Sequence, residues 1–422
     1  MTGPAAVAAP RRWITLGLLA SIYVLNYIDR QLPSILAKPI QDDLGLTDGQ
    51  LGLLGGLYFA LFYGVLAIPV AWLADRGNRV RVVALACAVW SAATIACGLS
   101  RGYGELAVSR MAVGVGEAGG VPPSYSIIAD LFPADRRATA LAIYNLGPPI
   151  GQSIGVAAGA ALAAGGGWRR AFIVVGLIGI VGAIAALAML RDPPRGTYDA
   201  APAEPIATVP FARAMRLFWA DRTLALAAFA AGASAFIGSG TLAFVTLLLM
   251  REKGMSLAEV GSYLSVTLGV CVCAGIYASG ALVDRLARRR RDAHALVPAA
   301  ASVLALPFYL GFVAAPHWPL ALALLAVPLF LNYFYLTPAA ALVQNRVPPE
   351  RRGISSAILL LVMNLIGLGL GPTFIGAVSD LFRAARPDHA LQFAFYAMAP
   401  VFLLACGLHL AVARRLSSEP SR

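Results

Sequence analysis

The sequence predicts an all-α integral membrane protein with twelve transmembrane helices, arranged as two parallel-repeat six-helix bundles. Three observations predict this fold class: the low charge of the chain, its many long apolar stretches, and an internal repeat of half its length. Of the 422 residues, 59% are hydrophobic and 13% are charged, whereas a soluble domain carries about 25% charged residues. A chain this apolar cannot cover a water-exposed surface with polar groups. The composition therefore argues against a soluble enzyme, a disordered chain and a secreted disulfide scaffold.

Twelve stretches are long and apolar enough to cross a bilayer, which takes about 20 residues in a helix. They lie near residues 13–37, 49–72, 80–99, 104–129, 138–164, 170–190, 222–250, 257–283, 294–315, 318–344, 353–380 and 390–413. The first stretch follows Arg11 and Arg12, as a secretory signal would, but it continues into Asp29 and Arg30 instead of a cleavage site. We therefore interpret it as a membrane span.

The basic residues predict the orientation of the spans. If the N-terminus is inside, 23 Lys and Arg residues fall in inner segments and 8 fall in outer segments. This bias predicts a multi-pass protein of the cell membrane with both termini in the cytoplasm. It also accounts for the net charge of +12, so we expect no nucleic-acid partner.

The two halves of the chain repeat at a nearly constant offset. Asp75 aligns with Asp284, and Thr47 aligns with Ser256, both at an offset of 209 residues. The loops that follow the fourth and tenth spans match at an offset of 215. Two parallel six-helix repeats are an architecture of secondary transporters. The predicted domains are an N-terminal bundle (1–190), a cytoplasmic linker (191–220) and a C-terminal bundle (221–422).

One inner loop in each half carries an acid followed by arginines. Residues 280–289 fit the pattern G-x-L-x-D-R-x-x-R-R, and residues 71–81 are a variant of it. This duplicated pattern resembles the signature inner loops of the major facilitator superfamily. An acid at a helix end can pair with an arginine, and such a pair can hold helix ends together in one state and break in another. Fixed loop anchors are the alternative. The predicted cytoplasmic gate residues are Asp75, Arg76, Arg79, Asp284, Arg285 and Arg288.

The N-terminal half resembles the spinster-like branch of that superfamily. The segments that carry the resemblance are Asn26-Tyr27-Ile28-Asp29-Arg30, 75–79, 114–118 and 128–133. The second half resembles only the superfamily as a whole. The resemblance implies a transporter, and transport of sphingolipids or lysophospholipids linked to protons.

Four charged residues lie well inside the predicted spans, namely Asp29, Arg30, Arg110 and Glu117. A charge at the membrane centre costs ~2.5 kcal/mol or more on insertion scales, so its default interpretation is functional, with a partner. Arg110 and Glu117 are two helical turns apart and share a face, and Asp29 and Arg30 fall between them in depth. We expect Arg30 to pair with Glu117, and Asp29 to pair with Arg110.

These four residues form the predicted proton-coupling and substrate site. Burial favours a neutral carboxyl, so we expect Glu117 to bind a proton near neutral pH, and Asp29 with Arg110 to titrate as a coupled unit. Protonation of an acid frees an arginine, which can then hold or release an anionic substrate head group. A static network that ties two helices together is the alternative.

The second half lacks these charges. The repeat positions of Asp29 and Arg30 are Gly238 and Ser239, and Glu117 maps to about Asn332. A purely architectural pair would recur in both halves, so we place the coupling in the N-terminal half. Each further polar candidate for the cavity has interhelical hydrogen bonding as its alternative role. These candidates are Asn26, Tyr58, Tyr144, Asn145 and Asn332.

Motifs for nucleotides, metals or catalysis are not found. The two lysines fit no Walker A loop, and the four histidines show no metal-ligand spacing. We therefore expect no enzyme, no cofactor and no metal. The sequence predicts a proton-coupled secondary active transporter that works by alternating access, as a monomer among membrane lipids, on an amphiphilic lysolipid-like or sphingolipid-like substrate. A proton-linked carrier or exporter of small organic anions or drugs is the alternative.

Overall fold

Most of the chain is helical, as a bilayer requires, because hydrocarbon offers backbone groups no other hydrogen-bond partner. The computed structural model describes residues 9–195, 197–198, 211–290, 292–348 and 351–418, and these residues form helices and turns but no strand. The α-helices in chain order are α1 (Ala9–Ile35), α2 (Ala37–Leu44), α3 (Asp48–Gly55), α4 (Leu57–Arg76), α5 (Arg79–Leu99), α6 (Tyr103–Glu117), α7 (Val121–Leu131), α8 (Ala134–Asn145), α9 (Gly147–Ala164), α10 (Gly167–Met189), α11 (Phe211–Ala220), α12 (Arg222–Arg251), α13 (Leu257–Glu259), α14 (Ser265–Ala287), α15 (Ala293–Ala314), α16 (Trp318–Asn332), α17 (Leu336–Arg346), α18 (Arg352–Met363), α19 (Gly371–Arg383), α20 (Ala390–Tyr396) and α21 (Ala399–Ser418). Two π-helical segments, Val260–Leu264 and Asn364–Leu370, and two 3₁₀ turns, Tyr333–Tyr335 and Pro387–His389, lie between them.

Nine helical stretches of the described chain are long and apolar enough to cross a membrane. The other three predicted spans are also helical, but α1 carries four charged residues, and the fourth and fifth spans are interrupted. Turns at 118–120 and at Leu146 divide these two spans into α6 with α7 and α8 with α9. Paired prolines follow both turns. Because proline supplies no backbone donor, helices tend to restart at such positions.

The described residues divide into two compact units. The first contains α1, α2, α4 to α10 and the segment 260–265, and the second contains α3 and the remaining helices from α11 onwards. Each unit therefore includes one short segment from the other half of the sequence. The predicted domain boundaries (1–190, 191–220, 221–422) stay a prediction, and much of the predicted linker, at 196 and 199–210, lies outside the described residues.

In the first unit, α9 packs against α1 through glycines at every fourth position. They are Gly147, Gly151, Gly155 and Gly159. A Cβ atom at Gly151 would lie 2.6 Å from the carbonyl oxygen of Val24, and one at Gly155 would lie 3.0 Å from Cα of Ile28. Small residues at such spacing let membrane helices approach backbone to backbone. The glycines therefore set the position of α1 in this unit.

Equivalent helix starts in the two sequence halves are capped in the same way. Oγ1 of Thr47 accepts from the backbone N–H of Gln50 at 3.2 Å, and Oε1 of Gln50 accepts from the N–H of Thr47 at 2.9 Å. At an offset of 209 residues, the N–H of Ser256 donates to Glu259 at 2.7 Å, and the N–H of Glu259 donates to Oγ of Ser256 at 3.3 Å. Each arrangement is a capping box that satisfies two backbone donors. The internal repeat therefore extends to matching side-chain contacts.

The glycine row predicts the result of a single added methyl group. Gly151→Ala should lower the stability of the protein by about 1–3 kcal/mol, the usual cost of overpacking, seen as an apparent melting temperature several degrees lower in detergent. Gly17→Ala in α1 is the matched control, because no described heavy atom outside its own stretch of helix backbone lies within 4 Å of its Cβ position. Equal melting temperatures for the two variants would show that α1 and α9 do not depend on this close approach.

Candidate functional site

Two buried ion pairs connect α1 to α6 in the first unit. Nε of Arg30 lies 2.5 Å from Oε2 of Glu117, and Nη1 of Arg110 lies 3.8 Å from Oδ1 of Asp29. The exposed fractions of these side chains are 14% for Arg30, 0% for Glu117, 3% for Arg110 and 2% for Asp29. Each helix supplies one acid and one base to the other. The partners are those expected from the depths of the residues in the sequence.

The Arg30 side chain is held tightly. Its Cζ atom lies 4.8 Å from the centre of the Tyr27 ring, 5.0 Å from that of Phe59 and 4.9 Å from that of Tyr63. Aromatic faces attract cations, more strongly where water is excluded. Arg30 therefore has three aromatic partners in addition to Glu117. The Tyr27 ring is part of the sequence motif around Asp29, but the contributions of Phe59 and Tyr63, one turn apart on α4, are not evident from the sequence.

The Arg110 pair is looser. At 3.8 Å the contact with Asp29 is an ion pair beyond hydrogen-bond distance. Within the described residues, Nε and Nη1 of Arg110 and Oδ1 of Asp29 have no hydrogen-bond partner. The hydroxyl of Thr94 on α5 donates to the other carboxylate oxygen of Asp29. Arg110 therefore keeps donors in the geometry that suits a carboxylate or phosphate.

A cavity of about 10 Å³, room for one water molecule, adjoins Glu117. Its lining includes Asn26, Ser124 and Tyr144. Oε1 of Glu117 and Oδ1 of Asn26 are buried and lack a hydrogen-bond partner among the described residues. A buried acceptor without a donor is unfavourable, so this end of Glu117 can be satisfied by a proton or by a water hydrogen.

Two more of the predicted cavity residues lie near this cavity. Tyr144, which lines it, is buried and stacks on Tyr23 with ring centres 4.6 Å apart. The neighbouring Asn145 is exposed, and its Oδ1 accepts a hydrogen bond from the hydroxyl of Tyr125 at 2.7 Å. Asn26 and Tyr144 therefore line the cavity beside Glu117, whereas Asn145 contacts Tyr125 outside its lining.

The remaining two predicted cavity residues lie elsewhere. The hydroxyl of Tyr58 is 3.0 Å from that of Tyr103, which makes it part of an interhelical contact between α4 and α6. Asn332 belongs to the second unit, at the end of α16, and lines a small cavity with Gly238. A site made by the first unit alone therefore does not contain Asn332.

Arg79 joins several helix ends of the first unit. Its side chain is 1% exposed and forms ion pairs with Asp130 and with Asp192, the latter at 2.8 Å. It also donates to the carbonyl oxygen of Pro193 at 2.7 Å. These contacts connect the start of α5 to the end of α7 and to the segment after α10. Asp192 is not singled out by the sequence, because it lies 113 residues away and outside the predicted spans.

The other predicted gate residues stay a prediction. Asp75 lies in α4, but its side chain is outside the described part of the chain. Arg76 ends α4 and is exposed, and Asp284, Arg285 and Arg288 are exposed at and just beyond the end of α14.

A network in the second unit centres on Asp48, a residue without a distinguishing pattern in the sequence. Its carboxylate is 2.8 and 3.0 Å from the guanidinium nitrogens of Arg251 and accepts from the hydroxyl of Ser379 at 2.6 Å. Asp380 accepts from the backbone N–H groups of Asp48 at 3.0 Å and of Gly49 at 2.8 Å. A carboxylate at a helix N-terminus is stabilising. These bonds join the start of α3 to the ends of α12 and α19.

The fold and the buried charges define a class of protein. Repeated helical units with many membrane-crossing helices, and paired charges buried inside one of them, are features of secondary transporters. The profile of the Major Facilitator Superfamily matches residues 19–367. The chain belongs to this superfamily and to its spinster-like branch, and it is a multi-pass membrane protein whose family and fold are those of transporters of small molecules, not of enzymes.

Individual relatives agree with this assignment. An MFS-type efflux pump from Mycolicibacterium smegmatis is 35% identical over 88% of this chain and 85% of the relative. Protein spinster homolog 1 from Homo sapiens is 27% identical over 98% of this chain and 82% of the relative. A crystal structure of a bacterial homologue of the human lysosomal transporter Spinster, in an inward-facing and unoccupied conformation, matches with a TM-score of 0.91 and 29% identity over 98% of this chain and 100% of that one. The predicted family and fold class are confirmed.

The contacts of Arg79 predict a stability effect. Arg79→Gln removes the partner of two acids, and breaking a buried ion pair in this way typically costs about 3–5 kcal/mol. The apparent melting temperature in detergent should therefore fall markedly. Arg81→Gln is the matched control, because Arg81 is exposed two residues further along α5. Adding Asp130→Asn to Arg79→Gln should recover part of the loss, and no recovery would argue against the ion pair as its cause.

Proposed function

We propose that this chain is a proton-coupled secondary active transporter that moves an amphiphilic substrate, of the lysolipid or sphingolipid class, by alternating access. The observation that supports this function most is the cluster of Asp29, Arg30, Arg110 and Glu117. Two acids and two arginines are buried in one bundle of a membrane protein, where charges are costly and are found mainly where function needs them.

The charge balance of the cluster provides a coupling mechanism. With both acids ionised, the four side chains sum to zero. A proton on Glu117 or Asp29 leaves one positive charge in a medium of low dielectric constant, which is unfavourable without a counter-ion. Proton uptake therefore favours binding of one negative group, and proton release favours its departure. The smallest coupling unit is one proton for each negative charge of the substrate head group.

The geometry suggests separate roles for the residues. Glu117 is the proposed proton acceptor, because it lines the small cavity and its Oε1 atom has no hydrogen-bond partner in the described chain. Arg110 is the proposed anchor for the substrate head group, because its Nε and Nη1 atoms keep unused donors. Asn26, Tyr144 and Asn145 would line the path to Glu117. Tyr58 in the first unit and Asn332 in the second unit stay proposed cavity residues.

The proposed membrane arrangement follows from the distribution of charge. The excess of basic residues in alternate loops supports cytoplasmic termini. The protein is proposed to work as a monomer among membrane lipids. In the proposed gate, charged residues of the duplicated inner loops hold helix ends together in one of the two alternating states. These residues are Asp75, Arg76, Arg79, Asp284, Arg285 and Arg288.

A carrier or exporter of small organic anions or drugs, linked to protons, is the second candidate. The 35% identity to an efflux pump supports it. The two candidates share the charged cluster and differ in the apolar part of the substrate. Competition between substrates therefore distinguishes the two candidate functions, whereas variants of the coupling residues do not.

The coupling proposal predicts which step the acid variants lose. In proteoliposomes, Glu117→Gln and Asp29→Asn should each lose accumulation driven by a pH gradient, to within about twofold of the rate without a gradient, since the amide cannot take up a proton. Both should retain counterflow exchange, which needs no net proton movement. Asp42→Asn is the control, because Asp42 is exposed and pairs with Lys38 on its own helix. Gradient-driven accumulation at the wild-type level in both acid variants would rule out the proposed role.

The substrate proposal predicts a rank order in a counterflow screen. Lysophospholipids and phosphorylated sphingoid compounds should exchange faster than organic acids of the same charge, because an acyl chain adds favourable apolar contact. Arg110→Gln should weaken the apparent affinity for substrates with a phosphate group tenfold or more, since hydrogen bonds to charged groups contribute about 1.5–3 kcal/mol. Arg101→Gln, on an exposed position just before α6, is the control. Faster exchange of small organic acids or drugs would favour the second candidate.

A further inference from the structure

The second unit contains an apolar cavity that has no part in the coupling cluster. It measures about 370 Å³ and lies where α14, α15 and the end of α16 meet. Its lining includes Leu282, Leu286, Arg290, Leu296, Leu304 and Phe334. Leu282, Leu286 and Leu304 are 41%, 37% and 55% exposed. Large exposed apolar side chains on a membrane-spanning helix are favourable when lipid hydrocarbon covers them.

The length of this cavity matches one leaflet of a bilayer. On α15 the lining extends from Ala293, three residues after Arg290, to Leu304, eleven residues further along the helix. At a rise of ~1.5 Å per residue, the lining extends over roughly 16 Å. Half of a hydrocarbon core of ~30 Å is about the same length. An acyl chain that enters the cavity at the Arg290 end would therefore reach about the middle of the membrane.

The charged end of the cavity suits an anionic head group. The sequence has five arginines, Arg285 and 288–291, against the two acids Asp284 and Asp292. Nε and Nη2 of Arg290 bind Asp292 at 3.1 and 2.9 Å, which leaves Nη1 for a further acceptor. The Arg290 side chain is 65% exposed. Guanidinium groups bind phosphate oxygens in this manner, and basic pockets between membrane helices are known to bind anionic lipid head groups.

We infer that this cavity is a binding site for one anionic phospholipid of the surrounding membrane. An acyl chain lies along α15 towards Leu304, and the lipid phosphate contacts Arg290. The net positive charge favours a lipid with a negative head group over a zwitterionic one. This site is separate from Asp29, Arg30, Arg110 and Glu117, which belong to the first unit, and the inference does not depend on the proposed transport function.

Native mass spectrometry of the purified full chain in detergent tests this inference. The protein is titrated with phosphatidylglycerol, with phosphatidylcholine of the same acyl chains, and with glycerol phosphate. The wild type should hold one phosphatidylglycerol molecule at concentrations at least fivefold lower than phosphatidylcholine. Glycerol phosphate should not bind, because it lacks the chain that fills the cavity. Equal binding of the two lipids would overturn the inference.

Variants identify the cavity as the place of binding. Ala300→Trp puts a large ring into the lining and should remove the preferred phosphatidylglycerol adduct. Val303→Trp is its control, because Val303 is 50% exposed on the same helix but is not part of the lining. Arg290→Gln should reduce the preference for phosphatidylglycerol at least threefold, while Arg386→Gln, an exposed arginine elsewhere, should not. Retention of the adduct by Ala300→Trp, with the preference intact in Arg290→Gln, would refute the site.

A thermal measurement gives a second readout on the same variants. A ligand that binds only the folded protein raises its melting temperature. Phosphatidylglycerol should therefore raise the melting temperature of the wild type and of Val303→Trp by several degrees, and that of Ala300→Trp by less than one degree. An equal rise in Ala300→Trp would place the stabilising lipid elsewhere on the protein and contradict the inference.

Discussion

Hydrocarbon offers a buried charge neither a counter-ion nor water, and this constraint determines how α1 and α6 can pack. Where they face each other, α1 contributes Asp29 and Arg30 and α6 contributes Arg110 and Glu117. The observed arrangement sets Arg30 against Glu117 and Arg110 against Asp29, so that each of the four charges has an opposite charge beside it. A slide of one helical turn would leave opposite charges apart, at a cost of several kcal/mol for each uncompensated ion. Charge pairing therefore specifies the register of the two helices, and the glycine row of α9 allows α1 to reach it.

The second half of the sequence has uncharged residues at the repeat positions of Asp29 and Glu117. At the repeat positions, a Cβ atom on Gly238 would lie 2.2 Å from Nδ2 of Asn332. α12 and α16 therefore approach each other closely at these positions, where glycine and asparagine stand in place of Asp29 and Glu117. Because this contact forms between uncharged residues, helix packing alone does not account for the charges of the first half.

The sequence predicts those features that depend on the local pattern, and it does not predict those that depend on distant partners. Apolar runs indicate the spans, and depth along two helices is enough to pair Arg30 with Glu117. The contacts of Arg79 with Asp192 and of Asp48 with Arg251 join residues 113 and 203 positions apart. No periodic pattern in the sequence relates residues that are so far apart. Their pairing follows from which helix ends meet, and only the folded chain determines this. The four-residue spacing of glycines in α9 is visible in the sequence, but its partner helix is not.

The different surroundings of the two arginines indicate which one can change partners. If Glu117 takes a proton, the faces of three aromatic rings still surround the guanidinium group of Arg30. These contacts favour the same position of the Arg30 side chain. Among the described residues, Arg110 has one aromatic ring over its guanidinium group, that of Phe59 at 5.4 Å, and an acid at 3.8 Å without a hydrogen bond. Phe59 is 1% exposed and lies within 5.4 Å of both guanidinium groups. The two arginines therefore contact the same ring, and the two ion pairs are neighbours in the first unit. This arrangement supports the proposal that proton binding at Glu117 is coupled to anion binding at Arg110.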